Sequence, residues 1–245
     1  MNEIDLIITP RKAGLLAGQN NTVEALVRAV APEPDAEAVA ARQALNLSIV
    51  IDRSGSMSGA PLHEAKRCAS FIVDQLMPCD RLSIIAYDST VDVVVPSRAV
   101  IDRETFHRAI QGIRERGMTA LHAGWLKGAE QAALGQSSDR LSRVLLLSDG
   151  NANAGLTDTT SIADQCVRLA AEGVTTSTYG LGHHFNEDLM LAMAQAGQGN
   201  GYYGETAADL MDPFRQEFEL LRFLCARSMR LRISSPCGGK PNLLN

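Results

Sequence analysis

The chain contains no Cys-x-x-Cys pair, and none of its cysteines is spaced with histidine as zinc ligands usually are. Its cysteines are odd in number and lack the regular spacing of a disulfide framework: Cys68, Cys79, Cys166, Cys225 and Cys237. Cys68 and Cys166 fall within helical patterns, where a thiol most often packs as a small buried side chain. We therefore expect a protein of a reducing compartment without structural disulfides.

The sequence also lacks a long apolar run and a concentration of positive charge. No apolar run reaches about 18 residues, the length that a membrane span needs. Residues 1–5 have neither the basic start nor the apolar core of a signal peptide, so we expect a cytoplasmic location. There are 23 Lys and Arg residues against 28 Asp and Glu residues, a formal net charge of −5. This balance offers no basic surface, and nucleic acid is not an expected partner.

Aromatic residues are scarce at 4%, but hydrophobic residues make up 45% of the chain and suffice for a core. From residue 45 onward, apolar runs typical of buried strands alternate with helical patterns. This alternation predicts an α/β fold with a doubly wound, mostly parallel sheet flanked by helices. Residues 91–95 read as a short strand that Pro96 ends. Helices are predicted near 61–77, 103–115, 120–134, 160–172, 187–196 and 208–226.

Five side chains with oxygen donors stand near the ends of predicted strands or before a helical pattern: Asp52, Ser54, Ser56, Thr119 and Asp149. The first three form an Asp-x-Ser-x-Ser pattern after an apolar strand at 46–51. Alone, this pattern is weak, since it occurs by chance in about one chain in twenty of this length. Asp and Ser also cap helices and turns without binding anything. As a set, however, oxygen donors favour hard cations such as Mg²⁺, Mn²⁺ or Ca²⁺.

In this order, the five residues resemble the metal-ion-dependent adhesion site (MIDAS) of the von Willebrand factor A family. That site is written Asp-x-Ser-x-Ser, then Thr, then Asp. Stretches at 148–155, 180–189 and 199–203 are similar to the same family, and the resemblance runs from about residue 45 to residue 224. They look most like its bacterial and inter-α-trypsin-inhibitor branch. The resemblance implies a Rossmann-like sheet of six strands, with strand 91–95 antiparallel at one edge.

The resemblance also implies how the cation is held. Ser54 and Ser56 would bind it directly, and Thr119 would bind it directly or through water. Asp52 and Asp149 would hold coordinated waters and orient the serines. A cation bound mainly by hydroxyls keeps part of its positive charge and one exchangeable coordination position. An Asp or Glu of a partner protein would fill that position. We therefore predict a Mg²⁺-dependent protein-interaction module of the adhesion type, with Mn²⁺ or Ca²⁺ as alternative cations.

The sequence around these residues contains no recognisable catalytic motif. The phosphate-binding pattern G-x-x-x-x-G-K-[ST] is missing, and Gly180-Leu-Gly182 lacks the third glycine of the dinucleotide motif. We predict that the chain is not an enzyme. Two alternatives stay open: a Mg²⁺-dependent enzyme acting on phosphate esters with Asp52 as its nucleophile, and a structural subunit whose metal site is vestigial.

The segments on either side of the predicted A domain, residues 45–226, read differently from it. Residues 1–44 contain two predicted strands, at 4–9 and 22–30, and then a linker. Residues 227–245 contain an alternating strand and a tail. In proteins of the family that the chain resembles, strands before and after the A domain often belong to one β-sandwich. The resemblance therefore implies that the two flanking segments supply part of such a module, as extra strands outside the main sheet.

Several other residues near the motif are not assigned to the metal site. His183 and His184 are adjacent in a loop, and we interpret them as a solvated pair before a helix capped by Asn186. Trp125 lies at helical spacing from other apolar residues and is predicted in the core. Asp88 follows a strand that ends at the same edge of the sheet as Asp52, but the family does not use it as a ligand, and we leave it out of the candidate set.

Overall fold

A computed structural model of the chain describes residues 4–11, 14, 22–30, 42–150, 152–181, 186–204, 209 and 211–222. The chain divides into two compact units, of which the larger spans Arg42–Arg222. In the smaller unit, strands β1 (Asp5–Pro10) and β2 (Ala25–Val30) pair antiparallel. The two strands predicted in this segment are thus present. The strand and tail predicted in residues 227–245 lie outside the described residues.

The larger unit contains a mixed sheet. Its strands, within the described residues, are β3 (Ala44–Asp52), β4 (Arg81–Tyr87), β5 (Val91–Ala99), β6 (Arg140–Ser148), β7 (Val174–Leu181) and β8 (Gln198–Gly204). Their order in the sheet is β5-β4-β3-β6-β7-β8, and every neighbouring pair is parallel except β4 with β5. The predicted six-stranded, mostly parallel sheet with an antiparallel edge strand is confirmed.

Helices cover both faces of this sheet. They are α1 (Ala60–Gln75), α2 (Arg103–Gly112), α3 (Leu121–Leu134), α4 (Thr159–Ala171), α5 (Glu187–Ala196) and α6 (Met211–Arg222). One core layer packs α1, α2 and α6 against the sheet, and the other packs α3, α4 and α5. Side chains of β3 alternate between the layers, so that Ile49 and Ile51 face the first and Val50 the second. None of the helices in the described part of the chain is long and apolar enough to cross a membrane.

The edge strand β5 is longer than predicted. The sequence places its end before Pro96, but β5 continues through this residue to Ala99. Proline lacks the backbone N–H that a strand flanked on both sides must donate, yet an edge strand leaves one side without a neighbour. The prediction was wrong because the edge position, which tolerates proline, is a property of the sheet and not of the local sequence.

Helix α3 lies unusually close to the sheet at two glycines. A Cβ atom on Gly124 would lie 2.4 Å from Cγ of Tyr87, and one on Gly128 would lie 2.3 Å from Cγ2 of Val50. Both distances are far below van der Waals contact, so only glycine fits at these points. The close approach holds the start of α3, and the loop before it, against the carboxyl ends of β3 and β4.

The last helix is attached to the sheet by a buried polar cluster as well as by apolar packing. Glu217 of α6 is buried, and its carboxylate pairs with the guanidinium of Arg143. It also accepts hydrogen bonds from the Ser177 hydroxyl (2.7 Å), the Asn200 amide (2.6 Å) and the Tyr202 hydroxyl (3.0 Å). Burial alone would raise the pKa of Glu217, but the charge of Arg143 and these hydrogen bonds together lower it. The carboxylate therefore stays ionised within the fold.

Candidate metal centre

The candidate residues lie where parallel strands end. Because β3 pairs in parallel with both β4 and β6, the segments after these three strands share one edge of the sheet. We call residues 53–59 the first loop, residues 113–120 the second loop and residues 149–158 the third loop. The β4–β5 turn, residues 88–90, lies at the same edge. Ligands from separate parts of the sequence are thus delivered to one place.

Asp52, the last residue of β3, is fully buried and fully hydrogen-bonded. Its Oδ1 atom accepts from the backbone N–H of Ser54 at 2.8 Å. Its Oδ2 atom accepts from the hydroxyls of Ser148 at 2.6 Å and Tyr87 at 3.1 Å. These three bonds fix the orientation of the carboxylate, because each donor belongs to the sheet or to the start of the first loop.

Asp149 lies close enough to Asp52 for the two carboxylates to repel each other. Burial raises the pKa of Asp52 above its ordinary value, hydrogen bonds from Ser148 and Ser54 oppose the increase, and the charge of Asp149 adds to it. Asp149 is itself buried, at 7% exposure. The charge of Asp149 is the smallest of these contributions, and a divalent ion bound nearby would offset it.

Ser54 and Ser56 present their hydroxyls side by side in the first loop. Their Oγ atoms lie 3.1 Å apart. Adjacent ligands of an octahedral Mg²⁺ at about 2.1 Å lie about 3.0 Å from each other, so the observed separation suits two neighbouring coordination positions. Ser54 is buried whereas Ser56 is exposed. The cluster therefore opens to solvent on the side of Ser56.

Thr119, at the end of the second loop, is buried and tied to the third loop. Its backbone N–H donates to Oδ1 of Asn153 at 2.8 Å, and its carbonyl oxygen accepts from the backbone N–H groups of Asn153 and Ala154 at 3.1 and 3.2 Å. Asn153 is not among the five residues predicted from the sequence. Its position four residues after Asp149 was the available signal, since amide side chains often fix loops through backbone groups.

The second loop also contacts the first loop through the backbone. The N–H of Gly55 donates to the carbonyl of Gly117 at 3.2 Å, and the N–H of Arg116 donates to the carbonyl of Arg53 at 2.8 Å. Gly117 has a φ of +69°, and a Cβ there would lie 3.1 Å from Cβ of Asp88. The positive φ favours glycine at this position, and the tight contact leaves little room for a side chain. The first loop is therefore linked to the second, and the second to the third.

The other residues near the motif have defined positions. Trp125 is fully buried, as predicted, and its indole N–H donates to the Thr176 hydroxyl at 3.1 Å. Asn186 caps α5 by accepting from the N–H of Leu189 at 3.1 Å, which confirms the predicted cap. His183 and His184 lie outside the described residues.

The chemistry of this donor set fits a hard divalent cation. Every candidate side chain offers oxygen, two of them as carboxylates and three as hydroxyls. Across the described ranges, no group of three or more His, Cys, Asp or Glu side chains is placed to hold a metal ion. A site with two carboxylates does not belong to that class, and its cation would keep more of its charge than one held by three acids.

Comparison with known proteins gives relatives of two kinds. The chain is 34% identical over 220 residues to protein sll0103 of Synechocystis sp., an alignment that covers 88% of this chain and 50% of that protein. It is 25% identical over 175 residues to human inter-alpha-trypsin inhibitor heavy chain H3, covering 67% of this chain and 20% of the relative. The predicted resemblance to the bacterial and inter-α-trypsin-inhibitor branch is confirmed. The chain spans half or less of the length of these relatives.

Solved structures share the fold. A von Willebrand factor type A protein from Catenulispora acidiphila superposes with a TM-score of 0.71 at 18% identity, covering 89% of this chain and 50% of that one. Proximal thread matrix protein 1 from the mussel byssus, with a zinc-occupied MIDAS motif, gives a TM-score of 0.60 at 20% identity, covering 73% and 48%.

The family comparison covers most of the larger unit. Residues 46–216 match the von Willebrand factor type A domain, and this span contains all five candidate residues. It exceeds half of the chain and agrees with the sheet order described above. The chain belongs to the von Willebrand factor type A domain family.

Proposed function

We propose that the chain is a protein-interaction module that uses a divalent cation, Mg²⁺ in the first instance, to capture an acidic residue of a partner protein. One observation carries this proposal. A buried, oxygen-only cluster around Asp52 opens to solvent at the exposed Ser56. A cation in such a cluster is bound on its buried side and accessible on its solvent side, as a metal-bridged interface requires.

In this proposal the hydroxyls of Ser54, Ser56 and Thr119 bind the cation, and Asp52 and Asp149 act through water. The hydrogen bonds to Asp52 support its indirect role, because both of its oxygens already accept from Ser54, Ser148 or Tyr87. The bound cation supplies an electrophilic position for a carboxylate. The chain supplies the orientation of the hydroxyls, and among the described residues no third Asp, Glu, His or Cys is grouped with the two carboxylates to hold the cation.

The donor set supports Mg²⁺, with Mn²⁺ and Ca²⁺ as alternatives, because all three prefer oxygen ligands. The mussel protein carries zinc in its MIDAS motif, so we include zinc among the cations to be compared. We also propose a cytoplasmic location. Its support is that Cys68, Cys79 and Cys166 are free thiols in the described part of the chain.

We propose further that the chain is not an enzyme. Phosphoryl transfer to Asp52 would need an exposed carboxylate oxygen, but this side chain is fully buried and its oxygens are occupied by hydrogen-bond donors. The geometry therefore disfavours the alternative in which Asp52 is a nucleophile.

Metal binding tests the first half of the proposal. Mn²⁺ binding is followed by the loss of the free-ion electron paramagnetic resonance signal, and competition then ranks Mg²⁺, Ca²⁺ and Zn²⁺. We expect one site in the wild type and none in the Ser54→Ala, Ser56→Ala double variant. Ser58→Ala is the matched control, because this serine is exposed in the same loop but outside the candidate set. Equal Mn²⁺ affinity in the double variant and the control would refute the proposed site.

Peptide selection tests the second half. The immobilised chain is incubated with a displayed random-peptide library in Mg²⁺ buffer and eluted with EDTA. We expect the eluted peptides to share an Asp or Glu, and replacing that residue by Asn or Gln should abolish binding. Peptides that remain bound in EDTA, or that carry no common acid, would contradict the proposed mode of capture.

A further inference from the structure

Next to the candidate metal centre lies a second cluster, composed of two arginines and two aspartates. Arg53 belongs to the first loop, Arg116 to the second loop, Asp88 to the β4–β5 turn and Asp92 to β5. We call these four residues the Arg–Asp clamp. No member is one of the five candidate ligands, yet Arg53 stands between Asp52 and Ser54 in the sequence.

Each arginine of the clamp bridges both aspartates. Arg53 donates from Nε to Oδ2 of Asp88 at 2.7 Å and from Nη2 to Oδ2 of Asp92 at 2.6 Å. Arg116 donates to the same two oxygens, at 2.7 and 3.0 Å. Two planar guanidinium groups on the same pair of carboxylates fix the distance between the loops that carry them.

Asp88 is the centre of the clamp, and its bonds leave no oxygen for a metal. Oδ2 accepts from both arginines, and Oδ1 accepts from the backbone N–H and the hydroxyl of Thr90, at 2.8 and 3.0 Å. Burial alone would raise the pKa of Asp88, but the hydrogen bonds from Arg116, Thr90 and Arg53 lower it to about 2. Its backbone carbonyl also accepts from the N–H of Ala120 at 2.9 Å, directly after Thr119.

The clamp therefore fixes residues that are adjacent in sequence to three of the candidate ligands. Arg53 adjoins Asp52 and Ser54, and the bond from Ala120 to Asp88 adjoins Thr119. Consecutive side chains of an extended segment point to opposite sides, so Arg53 can hold the backbone without entering the site. The four charges sum to zero, so the clamp adds little net charge and would act on position.

We propose that Asp88 is a positioning residue for the metal centre: with Arg53 and Arg116 it sets the separation between the first and second loops, and thereby the separation of the Ser54 and Thr119 hydroxyls. This inference rests on the proposed function, because it assigns a role toward that same site. Loss of the clamp leaves all five candidate ligands in the sequence but weakens cation binding. Mutation of a residue that orients a metal ligand without binding the metal typically lowers metal affinity by about 10- to 100-fold.

Arg116→Gln is the decisive variant, because positioning and simple electrostatics predict opposite signs. Removing a positive charge near a cation site should strengthen cation binding if only charge matters. If the clamp positions the loops, the same change weakens binding. The Arg116 side chain is 55% exposed, so this variant is expected to fold. Asp88→Asn removes the centre of the clamp and should weaken Mn²⁺ binding by about 10-fold or more.

The control is a buried ion pair at a different place in the sheet. Glu217→Gln disturbs the pairing of Glu217 with Arg143, which lies five residues before the end of β6 and away from the loops. All four proteins are compared by Mn²⁺ titration with electron paramagnetic resonance, and by urea unfolding in EDTA. We expect Glu217→Gln to lose stability and to keep its Mn²⁺ affinity. Weaker Mn²⁺ binding by both clamp variants, beside unchanged binding by this control, supports the positioning role.

The possible failures are distinguishable. A wild-type chain that binds no Mn²⁺ would overturn the proposed function and this inference with it. Wild-type binding together with equal or tighter binding by Arg116→Gln would overturn the positioning role alone. A Mn²⁺ affinity that falls in Glu217→Gln as much as in the clamp variants would also overturn it, since general destabilisation would then explain the loss.

Discussion

Replacing Gly124 of α3 by alanine tests the close approach of this helix to the sheet. The new Cβ would lie 2.4 Å from Cγ and 2.5 Å from Cδ1 of Tyr87. Carbon atoms in contact lie at about 3.5 Å or more, so the two groups would overlap by about 1 Å. Tyr87 is fully buried, so its ring has no free space to enter. The helix or the strand must shift.

The expected size of the effect follows from two opposing contributions. Overpacking of this kind costs about 1–3 kcal/mol. Alanine recovers up to about 1 kcal/mol, because it favours the helix more than glycine does. We expect a net loss of about 1–2 kcal/mol in the free energy of unfolding. In a domain of this size that corresponds to a fall of roughly 2–8 °C in the melting temperature.

Gly112→Ala is the matched control. Gly112 ends helix α2, and a Cβ there would meet nothing within 4 Å. This variant should be neutral or more stable by up to about 1 kcal/mol. Both variants are unfolded in urea and followed by far-UV circular dichroism, with EDTA present so that no bound metal contributes. A Gly124→Ala protein as stable as Gly112→Ala would refute the packing described for α3.

Three further predictions concern charge and metal. The pKa of Asp88 in the fold is about 2, below its ordinary 3.8. The ionised side chain therefore contributes its full stabilisation above about pH 4, and this contribution is lost as the pH falls toward 2. Asp88→Asn should flatten the decline of stability over that interval, as measured by urea unfolding at each pH. Glu217→Ala should cost about 3–5 kcal/mol in urea unfolding because it leaves the charge of Arg143 buried without its partner. Ala at the exposed Gln216 of the same helix should change stability by less than about 0.5 kcal/mol. Mg²⁺ at about 100 times its dissociation constant should raise the melting temperature by about 5–10 °C in calorimetry, and an identical scan in EDTA would contradict the proposed site.

The sequence was sufficient for the parts of the fold that depend on local patterns. Strands β3 and β6 are apolar runs buried on both faces, and such runs have few other interpretations in an alternating α/β pattern. Asp52 ends β3 and Asp149 follows β6, so their shared edge of the sheet was predictable from the parallel topology. The caps of helices, such as Asn186, were predictable for the same reason, since capping needs only neighbours in the chain.

Contacts between distant segments could not be predicted in this way. Arg53 and Asp88 are 35 residues apart, and Arg116 and Asp88 are 28 apart. No periodic pattern links such positions, because the link depends on how the loops fold over the sheet edge. Asp88 was assigned to the same edge of the sheet as Asp52 and left out of the candidate set, and its partners were not identified. For α3 a signal was present: Gly124 and Gly128 are four residues apart and share one face of the helix, which indicates close packing.

The buried carboxylate of Glu217 has a consequence for how α6 could move. Four donors from three different strands converge on it. A small slide of α6 along its axis would weaken all four bonds together and leave a charged group in an apolar interior without compensation. Intermediate positions are therefore high in energy. A shifted position of this helix would be stable only where a second set of donors met the same carboxylate.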